Sequence, residues 1–155
     1  FYTRALQRLS RRDLLRLGGI LGAGVLAQPF TAERLWGKPI FTAYPFTLGV
    51  ASGDPTPDGV VLWTRLAPDP LNGGGMPTAV VDVDWAIADD ASFRSVVQRG
   101  TVQARPELGH SVHVEVAGLQ PGRDYFYRFR AGDEASQVGR TRTALAAGTR
   151  VDQLR

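Results

Sequence analysis

The sequence predicts an all-β sandwich of about seven strands behind an N-terminal signal segment, and three observations carry this. From residue 46 onward apolar and polar side chains alternate with the two-residue period of half-buried strands. Clusters of Gly, Pro and Asp interrupt that alternation at intervals suited to short strands. The first 27 residues follow a different rule, in which a basic segment precedes a weakly apolar, Gly-rich run.

That leading segment comes first in the chain. Ser10-Arg11-Arg12-Asp13-Leu14-Leu15-Arg16 runs into residues 17–27, which include Gly18, Gly19, Gly22 and Gly24. The paired Arg11 and Arg12 point to the twin-arginine export route. As a helix, eleven residues rise only about 16 Å, whereas a membrane span takes about 20 residues. The stretch therefore reads as an export signal, residues 1–27, rather than a membrane helix. Val25-Leu26-Ala27 offers a cleavage point after Ala27, with Gln28 opening the mature chain; retention as an uncleaved anchor is the alternative. Residues 28–45 read as a linker. The twin-arginine route carries folded cargo, which implies a larger exported protein in the periplasm, the cell envelope or the medium. The opening on Phe1 and the end at Val151-Asp152-Gln153-Leu154-Arg155 fit that expectation of a longer polypeptide.

The charge balance depends on the same segment. Residues 1–38 hold 7 of the 18 basic and 2 of the 15 acidic residues, leaving 11 against 13 and a net charge of about −2 for the remainder. The positive formal charge of the whole chain thus belongs to the signal, and no nucleic-acid partner is expected. There is no cysteine, so disulfides, thiolate metal ligands and a thiol nucleophile are absent from these residues.

The sandwich itself is expected over residues 46–145. Residues 46–52 read as the first strand, closed by Gly53-Asp54-Pro55-Thr56-Pro57-Asp58-Gly59, a loop too rich in Pro and Gly for regular structure. The second strand is 60–66, followed by a long exposed loop over 67–77 with Gly73-Gly74-Gly75. In the third strand, 80–88, Val81, Val83, Trp85 and Ile87 face the core and Asp82 and Asp84 face outward. A turn, one helical turn at most, covers 90–94 before the fourth strand at 96–103. Val112, Val114 and Val116 point inward from the fifth strand, 111–116, with His113 and Glu115 opposite. Tyr125, Tyr127 and Phe129 do the same in the sixth, with Arg128 and Arg130 outward. A seventh strand covers 136–143. Residues 146–155 read as the start of a linker.

Seven such strands match an immunoglobulin-like or fibronectin type III-like sandwich. Leu119-Gln120-Pro121-Gly122-Arg123-Asp124-Tyr125 resembles the tyrosine corner of those domains, in which a Tyr hydroxyl bonds back to the chain upstream and a Leu plugs the core. Trp63 and Trp85 are expected as the large core anchors, each contributing a few kcal/mol at roughly 25 cal/mol per Å² of apolar area.

Candidate chemistry is sparse. His110 and His113, the only histidines, have opposite strand parity and diverge, so they make no metal site. Asp82 and Asp84 share a face and could hold a hard cation only with a third oxygen donor; a solvated sheet face is the simpler reading. Asp54 and Asp58 suit turns. No nucleophile elbow, phosphate loop or dinucleotide fingerprint occurs. No catalytic, cofactor-binding or metal residue is assigned.

The string Phe46-Thr47-Leu48-Gly49-Val50-Ala51-Ser52-Gly53-Asp54-Pro55, with Val60-Val61-Leu62-Trp63-Thr64-Arg65-Leu66, resembles the opening of the PhoD-like alkaline phosphatases. His110-Ser111-Val112-His113-Val114, the corner at 119–125 with Phe126-Tyr127-Arg128-Phe129, and Val138-Gly139-Arg140-Thr141-Arg142-Thr143 resemble the same family in the same order. The resemblance implies the N-terminal, non-catalytic sandwich of an exported phosphomonoesterase and phosphodiesterase. It further implies a downstream metallophosphoesterase domain as this sandwich's partner, with iron and calcium held there and phosphate esters as substrates. The twin-arginine translocase is the partner during export. Outward-facing Phe126 is the expected contact with that domain. A free-standing exported fibronectin type III-like binding or adhesion module is the alternative.

Overall fold

The computed structural model describes residues 41–149; the expected export signal with Arg11, Arg12 and Ala27, residues 28–40 of the expected linker and residues 150–155 lie outside them. Eight strands follow in order: β1 Val50–Thr56, β2 Gly59–Arg65, β3 Val81–Ala88, β4 Val96–Ala104, β5 Ser111–Ala117, β6 Asp124–Ala131, β7 Glu134–Ala135 and β8 Gly139–Arg142. They form two antiparallel sheets. One has the order β1-β2-β5; the other runs β4-β3-β6, with β7 and β8 both pairing β6. This is the expected sandwich, in which each sheet contributes one apolar face to a shared core.

The alternation places that core. Val112, Val114 and Val116 of β5 lie opposite Thr64, Leu62 and Val60 of β2, so all six point to the same side. Val83 and Ile87 of β3 and Tyr125, Tyr127 and Phe129 of β6 face them from the second sheet, and all five are buried. Tyr127 and Phe129 meet edge to face at 6.3 Å, the arrangement favoured by the ring quadrupoles.

Trp63 corrects an expectation. The register opposes it to Ala51 of β1 and His113 of β5, and His113 is exposed. Trp63 therefore lies half-buried on the outer face of the small sheet. The cause is parity: once Leu62 pairs with Val114, Trp63 must point the other way. Trp85 does pack against the core, though only partly buried. Its indole lies over Gly100 of the edge strand β4, where an added Cβ would come within 2.8 Å of the ring nitrogen.

The first expected strand and its loop also shift. Residues 46–49 form a turn, closed by the Gly49 N–H donating to the Phe46 carbonyl at 2.9 Å, while Phe46 itself enters the core. β1 instead runs through the Pro-rich stretch, with a register irregularity between Gly53 and Thr56. Asp54 sits there at φ 46°, a bulge conformation. Pro55 is tolerated because β1 is a sheet edge, where its missing N–H interrupts no inner ladder. Only Pro57 and Asp58 remain as the turn between Thr56 and its partner Gly59.

Residues 90–94 form turns without helix, because the Asp90 carboxylate accepts from the Ser92, Arg94 and Ser95 backbone N–H groups and from the Ser92 hydroxyl. These bonds, the Ser92 hydroxyl foremost and then the Ser95 N–H, hold the Asp90 carboxyl down at about 2. The seventh strand begins at Gly139 rather than 136. At Ser136 the side-chain hydroxyl, not a backbone carbonyl, accepts the Phe129 N–H at 2.9 Å, which breaks the ladder between β7 and β8. N-terminal to residue 46, Phe41 already packs on the core and Tyr44 donates to the Ala135 carbonyl at 3.1 Å.

Tyr127 carries a pH consequence. Burial raises its phenol above 10.0, and a hydrogen bond with Ser52 opposes this in part. The unfolded phenol ionises first as pH rises, so the contribution is complete below pH 10.0 and is lost progressively above it. Stability followed against pH in denaturant is expected to fall above that point. Tyr127→Phe should flatten this fall, and an unchanged profile in that variant would rule out the assignment.

Candidate functional site

Among the described residues, hydrogen bonds from several segments converge at the end of the sandwich where the chain leaves β8. Leu119 and Tyr125 are both buried there, and the Gln120 N–H donates to the Tyr125 hydroxyl at 2.9 Å. The tyrosine corner read from the sequence is thus present with its polar and its apolar contact. Gly122, at φ 67°, makes the left-handed turn that Pro121 cannot.

Thr143 ties the departing strand to this corner. Its hydroxyl donates to the Gln120 carbonyl at 2.6 Å and accepts the Arg123 N–H at 3.0 Å, while its own N–H reaches the Arg123 carbonyl at 3.1 Å. One residue later, the Ala144 N–H donates to the Thr56 carbonyl at 3.0 Å and the Ala144 carbonyl accepts from Gly122 at 2.8 Å. Arg123 adds a bridge to Asp89 at 3.2 Å and a bond to the Gln120 side chain at 2.7 Å. The Asp89 Oδ1 atom is buried without a hydrogen-bond partner. Nothing in the local sequence marks Thr143 for this role, since its partners lie about twenty residues upstream.

Replacing Tyr125 by Phe removes the acceptor of the Gln120 N–H and leaves the ring in place. A loss of about 1 kcal/mol is expected, within the range for a single hydrogen bond. A lowered urea midpoint with an unchanged denaturant dependence would register it; no shift would show that water replaces the hydroxyl at no cost.

The residues singled out for chemistry do not come together. His110 is buried, at φ 57°, with Nε2 3.0 Å from the Ala79 carbonyl, whereas His113 faces outward from β5. Asp84 accepts a 2.6 Å bond from its cross-strand neighbour Thr101. Asp82 is exposed on the same face, and Asp58 accepts from the Thr56 hydroxyl at 3.0 Å in its turn. Among the described residues no three His, Asp or Glu side chains converge as metal ligands do. The resemblance places iron and calcium in the following domain, and none of these residues is assigned to them.

Phe126 also differs from expectation. It points outward, between Ala88 and Arg140 of the neighbouring strands, but it is half-buried rather than exposed. Nearby on that end, Arg128 covers the Phe93 ring at 4.2 Å. Arg128 and Phe93 form a cation–π pair of their own, and the half-buried Phe126 is not the open aromatic the sequence led one to expect.

At the opposite end lies a shallow cleft of about 180 Å³ between the 67–77 loop and the turn at 106–109, lined by Arg65, Met76, Thr78 and His110 among others. The Arg65 Nε donates to the Gly109 carbonyl at 2.8 Å. The His110 Nε2 is engaged with the Ala79 carbonyl.

Comparison with known proteins adds what this geometry leaves open. The profile of the family described as "PhoD-like phosphatase, N-terminal domain" matches residues 31–145. Alkaline phosphatase D of Bacillus subtilis (strain 168) is 53% identical over 139 residues, which are 90% of this chain and 24% of that protein. A solved structure titled "Structure of PhoD" superposes with a TM-score of 0.72 and 61% identity, covering 73% of this chain and 22% of that one. A fibronectin type III domain from human KIAA0970 protein superposes with a TM-score of 0.44 at 16% identity, over 68% of this chain and 77% of that domain. The chain spans about a quarter of the length of the two phosphatase relatives.

Proposed function

The chain belongs to the PhoD-like phosphatase N-terminal domain family, and we propose that it serves as the non-catalytic β-sandwich of an exported enzyme that hydrolyses phosphate esters. The observation that carries this reading is the match to about a quarter of a phosphatase at 61% identity, by a piece whose own described residues bring no hydrolytic or metal-binding group together. The reaction belongs to a following domain of the longer protein. When bound there, iron and calcium supply the Lewis acidity and the activated oxygen that phosphate-ester hydrolysis needs. The sandwich's part is to be a rigid neighbour of that domain.

Export by the twin-arginine route belongs to the same proposal, with Arg11 and Arg12 as the recognised pair, cleavage after Ala27, and a site of action in the periplasm or outside the cell. A protein that must bind its metals before export has reason to use a route for folded cargo.

Two measurements test this reading. Hydrolysis of nitrophenyl phosphate is expected from the longer protein and not from purified residues 46–155; metal-dependent turnover by the latter would refute the non-catalytic assignment. Replacing both Arg11 and Arg12 by Lys should leave the precursor in the cytoplasm, and normal export of that variant would remove the twin-arginine part of the proposal.

A further inference from the structure

We infer that the cleft between the 67–77 loop and the turn at 106–109 binds a small oxyanion of the phosphate class, held by the guanidinium of Arg65. The choice of phosphate among oxyanions rests on the reading just given. The site itself rests on the geometry of the cleft.

Arg65 is half-buried and is positioned by backbone rather than by a carboxylate. It ends β2, its Nε donates to the Gly109 carbonyl at 2.8 Å, and the N–H of the next residue, Leu66, donates to the His110 carbonyl at 3.1 Å. The Nη2 atom lies where two side chains are missing. A Cβ on Gly109 would stand 3.3 Å from it and one on Gly74 3.9 Å, so the guanidinium sits between glycines of the two facing walls. Of its five N–H donors, the one on Nε is spent on Gly109. Among the described residues the other four have no acceptor, and the nitrogens that carry them are not sealed from solvent.

The acids at this end leave that charge uncompensated. Asp69, at the root of the loop, takes the Asn72 side-chain amide on both carboxylate oxygens, at 3.1 and 3.2 Å. Glu107 is exposed, and among the described residues neither acid pairs with Arg65. A half-buried cation is screened less than one on the open surface, and a guanidinium with its terminal donors unspent matches the paired oxygens of a phosphate group.

The walls are already formed. Asp69 and Gly74 exchange backbone bonds of 3.0 and 2.8 Å, and Gly75 packs so tightly on Asp69 that a Cβ would come within 3.0 Å of its nitrogen. Met76 anchors the same wall on the core, and Thr78 adds a hydroxyl to the lining. A site built in advance loses little to ordering when it binds. Its volume of about 180 Å³ is below the about 300–1,000 Å³ that encloses a drug-sized ligand, which suits an ion or the terminal group of a small ester.

The test follows hydrogen exchange of the full-length protein by mass spectrometry, on peptides covering 67–77 and 105–110. Inorganic phosphate is titrated with ionic strength held constant by sodium chloride. At ten times the dissociation constant, openings of the ligand-bound walls become about tenfold rarer, and exchange in both peptides is expected to slow by about that factor. Arg65→Gln should abolish the slowing. Thr78→Glu, a change at an exposed residue that brings a carboxylate to the lining, should abolish it as well, and keeps the test decisive if loss of Arg65 weakens the fold. No slowing in the unsubstituted protein, or undiminished slowing in Thr78→Glu, would overturn the site. Methylphosphonate, which offers the same oxygens without a hydrolysable bond, separates the sources: slowing by both compounds assigns the terminal group of an ester, and slowing by phosphate alone assigns the free ion. Failure of the parent reading looks different, as absence of nitrophenyl phosphate hydrolysis by the same preparation.

Discussion

Truncating Phe129 to alanine is expected to cost about 4 kcal/mol, the centre of the range for removing a buried phenylalanine ring. Phe129 is 0% exposed and lies in the central part of β6, opposite Trp85 of β3. Its ring meets Tyr127 edge to face, and its backbone exchanges bonds of 2.9 Å with Ser136, one to the hydroxyl and one from the N–H. The backbone on this side is therefore pinned, and the strand has little freedom to collapse into the space the ring vacates. The cost is a transfer loss plus an unrelaxed cavity. With total stabilities of domains at about 5–15 kcal/mol, the variant is expected to unfold at greatly reduced denaturant, read from the urea midpoint. A loss under about 2 kcal/mol would mean that the two sheets close over the gap.

The second large effect comes from adding one carbon rather than removing six. Gly139→Ala places a Cβ within 2.3 Å of Tyr127 Cζ, 2.6 Å of Cε1 and 2.7 Å of the hydroxyl. No contact of that length survives, so something must shift. Gly139 is not at a positive φ, and alanine is acceptable to its backbone; the conflict is one of packing alone. Tyr127 cannot give way easily, because it is 2% exposed, hydrogen-bonded with Ser52 and in edge contact with Phe129. Overpacking of this kind costs about 1–3 kcal/mol and sometimes more, and the upper part of that range is expected here. A double-mutant cycle with Tyr127→Leu checks the mechanism. If the ring is the obstacle, the two changes together should destabilise by clearly less than their sum; strict additivity would place the cost elsewhere.

Gly139 also shows where sequence reading stops. A glycine inside an alternating run marks a close approach of some kind, yet nothing in Val138-Gly139-Arg140 says that the approaching group is the ring two strands' worth of sequence earlier. The pairing of Gly139 with Tyr127 is a product of β8 lying beside β6, and neighbouring strands are chosen by the whole core. Thr143 is similar, since a threonine at a strand end has many uses.

The two tryptophans separate the levels further. Their size led to the expectation that both anchor the core, and size is a property of the residue alone. Trp85 shares a face with Val81, Val83 and Ile87, all buried, so its side was readable. Trp63 lies in a strand with apolar residues on both faces, and periodicity fixes which side chains travel together without saying which set goes inward.

What the amino-acid order determined by itself was therefore local: the period of two in β2, β3, β5 and β6, the corner at Leu119 and Tyr125, and the turn at Asp90. These follow from backbone geometry and side-chain chemistry within a few residues. Tertiary structure alone decided that Trp63 faces out, that Pro55 sits in an edge strand, that Gly139 makes room for Tyr127, and that the chain leaves through a corner tied at Thr143 and Ala144. The physical reason is that pairing register selects among faces that are equivalent along a single strand, and that selection depends on partners tens of residues away.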